Sequence, residues 1–289
     1  MSNTYKSVTM KEIAKQAGLS ITTVSKVINK HPDISQATKD KVSKTIDELG
    51  YVQNMMAANL RKNKANLVGL ILSDISKPYF SKVISGYERV FGESGYQTLI
   101  FSSNEDAERE RNLIRQVLSI NIAGIIIDLA QNGNKNVDLL EVSGVPYVFS
   151  NRFTDVDKGY YVAADNKKAG LIATQYLLKS KPNAPVLSIN GPDNISPTVM
   201  RFEGYCQALK QAKISRNDNW VFNNHYDLTD AHRTGAYIAK NFKPPYSVFC
   251  STDQIAIGLL RALKENNIKI QIITYFSFLF VCVPSMAHV

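Results

Sequence analysis

Along the first fifty residues, apolar positions recur at helical spacing and each run is bracketed by residues that start or stop helices. Thr9-Met10-Lys11-Glu12 has the form of a capping box. The Thr9 hydroxyl can accept from the Glu12 amide while Glu12 reaches back, and Ile13, Ala14 and Ala17 make the apolar face behind it. Gly18-Leu19 reads as a turn, because glycine tolerates the left-handed conformation that ends a helix. Ser20 then caps a second helix with Val24, Val27 and Ile28 facing inward. Residues 29–33 form a loop, Ser35 caps a third helix with Val42, Ile46 and Leu49 inward, and Gly50 ends it.

Residues 51–66 are polar, apart from Tyr51, Val52, the Met55-Met56 pair and Leu60, and read as a linker able to become a short helix. From Leu67 the pattern changes. Strand-length apolar runs at 67–74, 96–103, 123–128, 145–151, 184–190 and 247–253 alternate with helical stretches near 79–93, 106–120, 166–179, 197–213, 229–241 and 254–265. Continuous Val/Ile/Leu-rich strands separated by helices predict parallel sheets covered on both faces, as one large domain or as two smaller doubly wound halves.

Length and charge sharpen this division. A chain of 289 residues is long enough for two domains. The net charge of +9 is uneven: residues 1–64 carry eleven Lys and Arg against five Asp and Glu, leaving only +3 for the rest. A basic head on a nearly neutral body points to nucleic acid, or to no more than a lysine-rich solubilising surface. The composition excludes a wholly disordered or collagen-like chain. Cys206, Cys250 and Cys282 are odd in number and far apart, which predicts reduced thiols in a cytosol rather than a disulfide frame. The start, MSNTYKSVTMKEIAKQ, has no apolar core of a secretory signal.

Two helices joined by a glycine turn fit either a helix-turn-helix or an ordinary helical hairpin. In the first case Ile21, Thr22, Ser25, Lys26 and Asn29 of the second helix face the major groove. Thr22 and Asn29 can hydrogen-bond base edges or phosphate, Ile21 can touch a thymine methyl, and Lys26 can reach guanine or phosphate. Catalytic patterns are lacking: there is no GxSxG, no P-loop and no GxGxxG after a strand. His225 and His232 stand seven apart, but Asn224, Tyr226 and Asp227 complete no metal pattern. No cofactor and no metal is expected.

The run from Val8 to Asn29, of the form T-h-x-x-I-A-x-x-A-G-h-S-x-x-T-V-S-x-V-h-N, resembles the headpiece of the LacI/GalR family of bacterial transcription regulators. The likeness continues through Ser35-x-x-Thr38 and Leu49-Gly50-Tyr51. In the body it extends to Ser76-Lys77-Pro78-Tyr79-Phe80, Asp165-Asn166, Arg201-Phe202-Glu203-Gly204-Tyr205 and Thr252-Asp253-Gln254-Ile255-Ala256-Ile257-Gly258. The resemblance implies a helix-turn-helix head over 1–52, a hinge helix over 53–66, and a periplasmic-binding-protein-like body over 67–289. That body is two interleaved α/β subdomains around a ligand cleft, which also dimerise. It assigns DNA contacts to Thr9, Ser20, Ile21, Thr22, Ser25, Lys26 and Asn29 in the head. In the hinge it assigns Asn54, Ala57 and Leu60, with Leu60 as an apolar wedge in the minor groove. Lys26 stands where the family often has Arg, Gln53 where it often has Pro, and Ala58 where it often has Arg. The resemblance implies effector contacts from Tyr79, Phe80, Asn151, Arg201, Tyr226, Thr252 and Asp253. From the residues alone, Tyr79 and Phe80 could stack on a sugar ring or belong to the core, Arg201 could clamp an effector or pair with Glu203, and Asp253 could face the cleft or cap the next helix.

The ending departs from the family pattern. A Gly-aromatic-Asp strand end is expected after Ile270; here Thr274 and Phe276 stand at its glycine and acid positions, and residues 270–289 contain no Asp, Glu, Lys or Arg. Three readings follow: a frameshifted or truncated product, a divergent strand, or a C-terminal membrane anchor, for which Ile272–Val283 is short. The β-prone stretch IITYFSFLFVCV is an aggregation hazard unless it docks as a strand.

The chain therefore reads as a regulator in which a homodimer grips a pseudo-palindromic double-stranded operator and a small effector, a carbohydrate or related metabolite, controls the grip. Alternatives are a truncated regulator with weak DNA binding, a sugar-binding protein without regulatory role, and a sugar-modifying enzyme, which lacks a nucleophile–base pair.

Overall fold

The computed structural model describes residues 8–53, 65–133, 135–154, 159–269, 271–275 and 278–283. The chain divides into two compact units, residues 1–65 and 66–289.

The first unit holds α1 (Met10–Ala17), α2 (Ile21–Ile28) and α3 (Gln36–Leu49). The capping box at Thr9 is present in both directions: Thr9 Oγ1 accepts from the Glu12 amide at 3.3 Å, and the Thr9 amide donates to Glu12 Oε2 at 2.7 Å. Gly18 closes α1 in the left-handed region (φ 60°), and the Ser20 hydroxyl accepts from the Thr23 amide at 3.0 Å to start α2. Ser35 sits at the N-cap of α3, but its hydroxyl bonds the Thr38 hydroxyl at 2.9 Å and makes no side-chain cap. Ile13, Val24 and Val42, one from each helix, are fully buried, and Leu19, Val27, Ile28, Ile46, Leu49 and Tyr51 pack around them. Each such burial contributes about 1.5–3 kcal/mol, enough to set three short helices that would be marginal alone.

The second unit contains two halves. The first runs β1 (Leu67–Leu72), α4 (Pro78–Glu93), β2 (Gln97–Ser102), α5 (Ala107–Leu118), β3 (Gly124–Ile127), α6 (Asn136–Ser143), β4 (Tyr147–Ser150) and β5 (Tyr160–Val162). Its sheet is parallel throughout, in the order β2-β1-β3-β4-β5. The second half runs α7 (Asn166–Ser180), β6 (Val186–Asn190), α8 (Ser196–Gln211), a 3-10 turn (Asp218–Trp220), β7 (Val221–Asn223), α9 (Leu228–Asn241), β8 (Tyr246–Cys250), α10 (Asp253–Glu265), β9 (Gln271–Tyr275) and β10 (Phe278–Val283). Its order is β7-β6-β8-β10-β9. Leu70, Ile71 and Leu72 in β1, and Val248, Phe249 and Cys250 in β8, are fully buried, as strands covered on both faces should be. In each sheet the strand order reverses beside the first strand of that half, and open α/β sheets bind ligands at such points, beyond the carboxyl ends of the strands.

Sequence pattern missed β5, β7 and α6. The first two are only three residues long, Tyr-Tyr-Val and Val-Phe-Asn, too short to stand out as strand-length apolar runs. The helix α6 is short and held from outside: Asn136 Nδ2 donates to Ala107 O at 2.7 Å and to Glu110 Oε1 at 2.8 Å. The second sheet is not purely parallel. Residues 271–283 supply two strands, with β10 antiparallel to β8 (Phe280 opposite Phe249, Val283 opposite Tyr246) and β9 antiparallel to β10. An antiparallel neighbour needs only a short connection, whereas a parallel one needs a crossover. Among the described residues no helix is long and apolar enough to cross a membrane.

Candidate functional site

In the head, one face of α2 is spent on the core through Val24 while the opposite face is presented outward. Ile21 is 48 % exposed, and Thr22, Lys26 and Asn29 are exposed beside it, with Ser25 half-buried. Asn29 Nδ2 donates to Ser25 O at 2.8 Å, which fixes the side chain at the end of α2. Thr9 and Ser20 have a structural task, each capping a helix. The caps also leave both helix N-termini on the surface, where backbone amides suit phosphate. The expected hinge contacts Asn54, Ala57 and Leu60 lie outside the described residues.

In the body, the carboxyl ends of β2, β3 and β4 converge on a buried charge cluster. The Arg152 side chain is 5 % exposed. Its Nη1 donates to Glu105 Oε2 at 2.6 Å and to the carbonyls of Leu129 and Ala130 at 3.1 and 3.2 Å. Its Nη2 donates to Glu105 Oε1 at 3.0 Å, and its Nε lies 3.8 Å from Asp128. Lys77 also pairs with Glu105 and lies 3.8 Å from Asp74. Burial works against ionising Glu105, but Arg152 and Lys77 outweigh it and hold the carboxyl below its ordinary value. At Asp128 burial wins: the carboxyl is pushed up despite Arg152, the Ser73 amide (3.3 Å) and Asn151 Nδ2 (3.0 Å). Asn151, Asn104 and Glu105 all take positive φ (64°, 54° and 62°), an uncommon conformation for non-glycine residues that here aims side chains into the region beyond the sheet.

The opposite wall comes from the second half. Arg201, in α8, donates from Nε to Asn166 Oδ1 at 2.8 Å and from Nη1 to Ser251 O at 2.6 Å. Its place depends on two glycines. A Cβ on Gly204 would collide with Lys167 O and Leu171 N, and one on Gly170 with Arg201 O, so α7 and α8 touch backbone to backbone there. The expected alternative for Arg201 does not hold, because Glu203 pairs with Lys167 at 3.0 Å instead. Burial depresses the Arg201 pKa, while Tyr226, Tyr79 and Asp253 act in the other direction. The helix α10 is capped by Thr252, whose hydroxyl accepts from the Ile255 amide at 3.3 Å. Asp253 is thus the first helical residue and not the cap.

The aromatic expectations divide. Phe80 is only 2 % exposed and belongs to the core, because the first turn of α4 turns it inward; Tyr79 is 53 % exposed and meets it edge-on at 5.1 Å. Of this pair only Tyr79 presents its ring to solvent. Burial raises the Tyr79 pKa, the Asp128 carboxylate adds to it and Arg201 opposes it, so this ring stands within electrostatic reach of both halves. Tyr226 bonds Thr198 through its hydroxyl, and its ring edge is so close to Gly191 that a Cβ there would overlap it. Lys77 of the first half lies 5.1 Å from the centroid of this ring. Further contacts join the halves: the Asn132 amide donates to Asn194 O at 2.7 Å, the Ser196 amide to Asn132 Oδ1 at 2.9 Å, and the Phe153 amide to Ser196 Oγ at 3.2 Å. Tyr79, Asn151, Arg201, Tyr226, Thr252 and Asp253 thus line the facing strand ends of the two halves. Sequence reasoning missed Glu105, Asp128 and Arg152; the signal available was an acid or base directly after a strand-length apolar run.

A three-helix reading head joined to two α/β halves facing each other across a cleft defines a ligand-responsive DNA-binding regulator. Residues 9–54 match the bacterial regulatory proteins of the lacI family, and residues 65–286 match the periplasmic binding proteins and sugar binding domain of the LacI family. The chain belongs to the LacI family of bacterial transcription regulators. Its curated relatives include the HTH-type transcriptional repressor PurR of Vibrio atlanticus, 29 % identical over 265 residues (91 % of this chain, 78 % of the relative). PurR of Histophilus somni is 26 % identical over 263 residues (91 % and 79 %). Among solved structures, the transcriptional regulator CelR in complex with cellobiose is 25 % identical (TM-score 0.64, covering 91 % of this chain and 80 % of that one). The lac repressor dimer bound to operator shares the fold at 19 % identity (TM-score 0.79, 91 % and 79 %). The protein is a DNA-binding transcriptional repressor with a metabolite-binding body.

Proposed function

We propose that α2 reads the operator through Ile21, Thr22, Ser25, Lys26 and Asn29, with Thr9 and Ser20 placing helix termini against phosphates and Asn54, Ala57 and Leu60 completing the contact in the minor groove. The exposed Thr22-Lys26-Asn29 face, opposite the buried Val24, and the exposed Ile21 at the start of α2 support this reading. Two copies of the chain engage the two halves of a pseudo-palindrome. In the body, Arg201 and Tyr79 hold a carbohydrate or related hydroxylated metabolite between the two halves, with Asn151, Thr252 and Asp253 as hydrogen-bond partners. The chain acts by binding, in the cytoplasm, and catalyses no reaction. The Arg201 geometry supports the effector role: its fork is fixed from behind by Asn166 and Ser251 beside Tyr79 and Tyr226.

The test is an anisotropy titration of the full chain against duplexes recovered by binding-site selection, with and without a panel of mono- and disaccharides. Affinity should fall steeply between about 50 and about 200 mM salt, because bound phosphates release counterions. One sugar should shift operator affinity without being converted. A flat salt response, or an unchanged selected consensus after Thr22→Ala and Lys26→Ala, would overturn the assignment of α2.

A further inference from the structure

We propose that Lys77 is a positioning residue that latches the two halves of the body across the cleft. Lys77 precedes α4 in the first half, and its ammonium is anchored there by Glu105 and by Asp74 at 3.8 Å. Its side chain is only 16 % exposed, so the charge is shielded from competing water. From that anchor it lies 5.1 Å from the ring centroid of Tyr226, which belongs to the second half. The ring cannot drift away easily, since its hydroxyl bonds Thr198 and its edge rests on the Gly191 backbone. A cation pinned on one side facing a ring pinned on the other is a cross-half tie, and desolvation strengthens cation–π attraction. The anchor is itself held: Glu105 is clamped by both terminal nitrogens of Arg152, which in turn ties down the backbone of Leu129 and Ala130. Two residues further along, Asn132 makes the hydrogen bonds to Asn194 and Ser196 that also span the halves. The Lys77–Tyr226 contact and the Asn132 strap thus share one rigid support.

This arrangement gives Tyr226 a different duty from that of an effector platform: its ring serves the latch, and an effector that needs the halves apart must break the contact. The latch rests on the geometry of the two halves and not on the identity of the effector, so its test needs no ligand and no DNA.

Native-state hydrogen exchange of the effector-free full chain reads it directly. The amides of Asn132, Phe153 and Ser196 donate across the halves, and the amides of Ser247 and Asp128 donate within one sheet. Lys77→Gln should speed exchange of the three cross-half amides by about 2- to 30-fold, the range of a cation–π contact, and leave the two sheet amides unchanged. Tyr226→Leu removes the ring but leaves Lys77 on Glu105, and it should give the same acceleration; the double variant should add nothing to either. Lys77→Arg, which keeps a cation over the ring, should exchange like the parent. Unchanged cross-half exchange in Lys77→Gln or Tyr226→Leu overturns the latch. Faster exchange that spreads equally to Ser247 and Asp128 also overturns it, by showing that Lys77 supports the fold of its own half and no more.

Discussion

Replacing Arg152 with methionine removes the cation that stands against both Glu105 and Asp128 in the cluster beneath the cleft. Arg152 makes four hydrogen bonds, two to Glu105 and two to carbonyls at the end of β3, and stands 3.8 Å from the fully buried Asp128. Methionine restores the volume but none of these bonds. Glu105 keeps Lys77, whereas Asp128 keeps only dipoles, from Ser73 and Asn151. Breaking a buried pair by removing one partner costs roughly 3–5 kcal/mol, at least about a fifth of a stability of roughly 5–15 kcal/mol. With a urea m-value of about 3 kcal/mol/M, the midpoint should fall by ~1–1.7 M.

The loss should also depend on pH, with a sign set by Asp128. Its folded pKa already lies above the ordinary carboxylate value through burial, and removal of Arg152 raises it further. A group whose folded pKa is raised binds more protons in the folded state, so stability is lost as pH rises through that pKa and regained as it falls. Urea unfolding followed by far-UV circular dichroism over a series of pH values falling from neutrality towards the ordinary carboxylate range should therefore show the variant recovering part of its deficit on acidification. A midpoint shift below about 0.3 M, or a deficit that grows on acidification, would refute the view of Arg152 as the counter-ion of a buried carboxylate.

Other outcomes follow from single contacts. Thr9→Ala deletes the hydroxyl half of the capping box while leaving the residue-9 amide on Glu12, and should cost about 1 kcal/mol, seen as roughly five-fold faster hydrogen exchange in α1 of the full chain. Gly204→Ala forces a Cβ into Lys167 O and should cost about 1–3 kcal/mol in thermal unfolding while displacing Arg201; an unchanged melting temperature would show that α7 and α8 can separate freely. Arg201→Lys should weaken the effector response of operator binding by about ten-fold or more at unchanged fold, because an ammonium cannot reach Asn166 and Ser251 together while facing the cleft. Glu105→Gln should lose stability at neutral pH, where the parent carboxylate is ionised, and the difference from the parent should shrink as pH falls through the lowered Glu105 pKa.

The sequence by itself determined what is local. The caps at Thr9 and Ser20, the left-handed stops at Gly18 and Gly50, and the apolar periodicity of α1 to α3 all act within a few residues, and they appear in the structure as read. The longer strands and helices of the body were legible for the same reason, since a strand buried on both faces must be apolar throughout. The exposure of Ile21, Thr22 and Lys26 followed from the same periodicity, one face of α2 being committed to the core. Tertiary structure alone decided the rest. That Phe80 is core while Tyr79 faces outward depends on the rotation of α4 against its sheet, which neighbouring aromatics do not reveal. That Glu203 chooses Lys167 and leaves Arg201 to Asn166 and Ser251 depends on helix contact through Gly170 and Gly204. Glu105, Asp128 and Arg152 are scattered over 48 positions of chain and become one cluster only because β2, β3 and β4, with β1 between the first two, end along the same edge of one parallel sheet. The tail shows the limit most plainly: its composition marks it as strand-forming, but the antiparallel edge it adds to the second sheet is set by the unpaired side of β8, a partner fixed by the folded sheet and not by the tail.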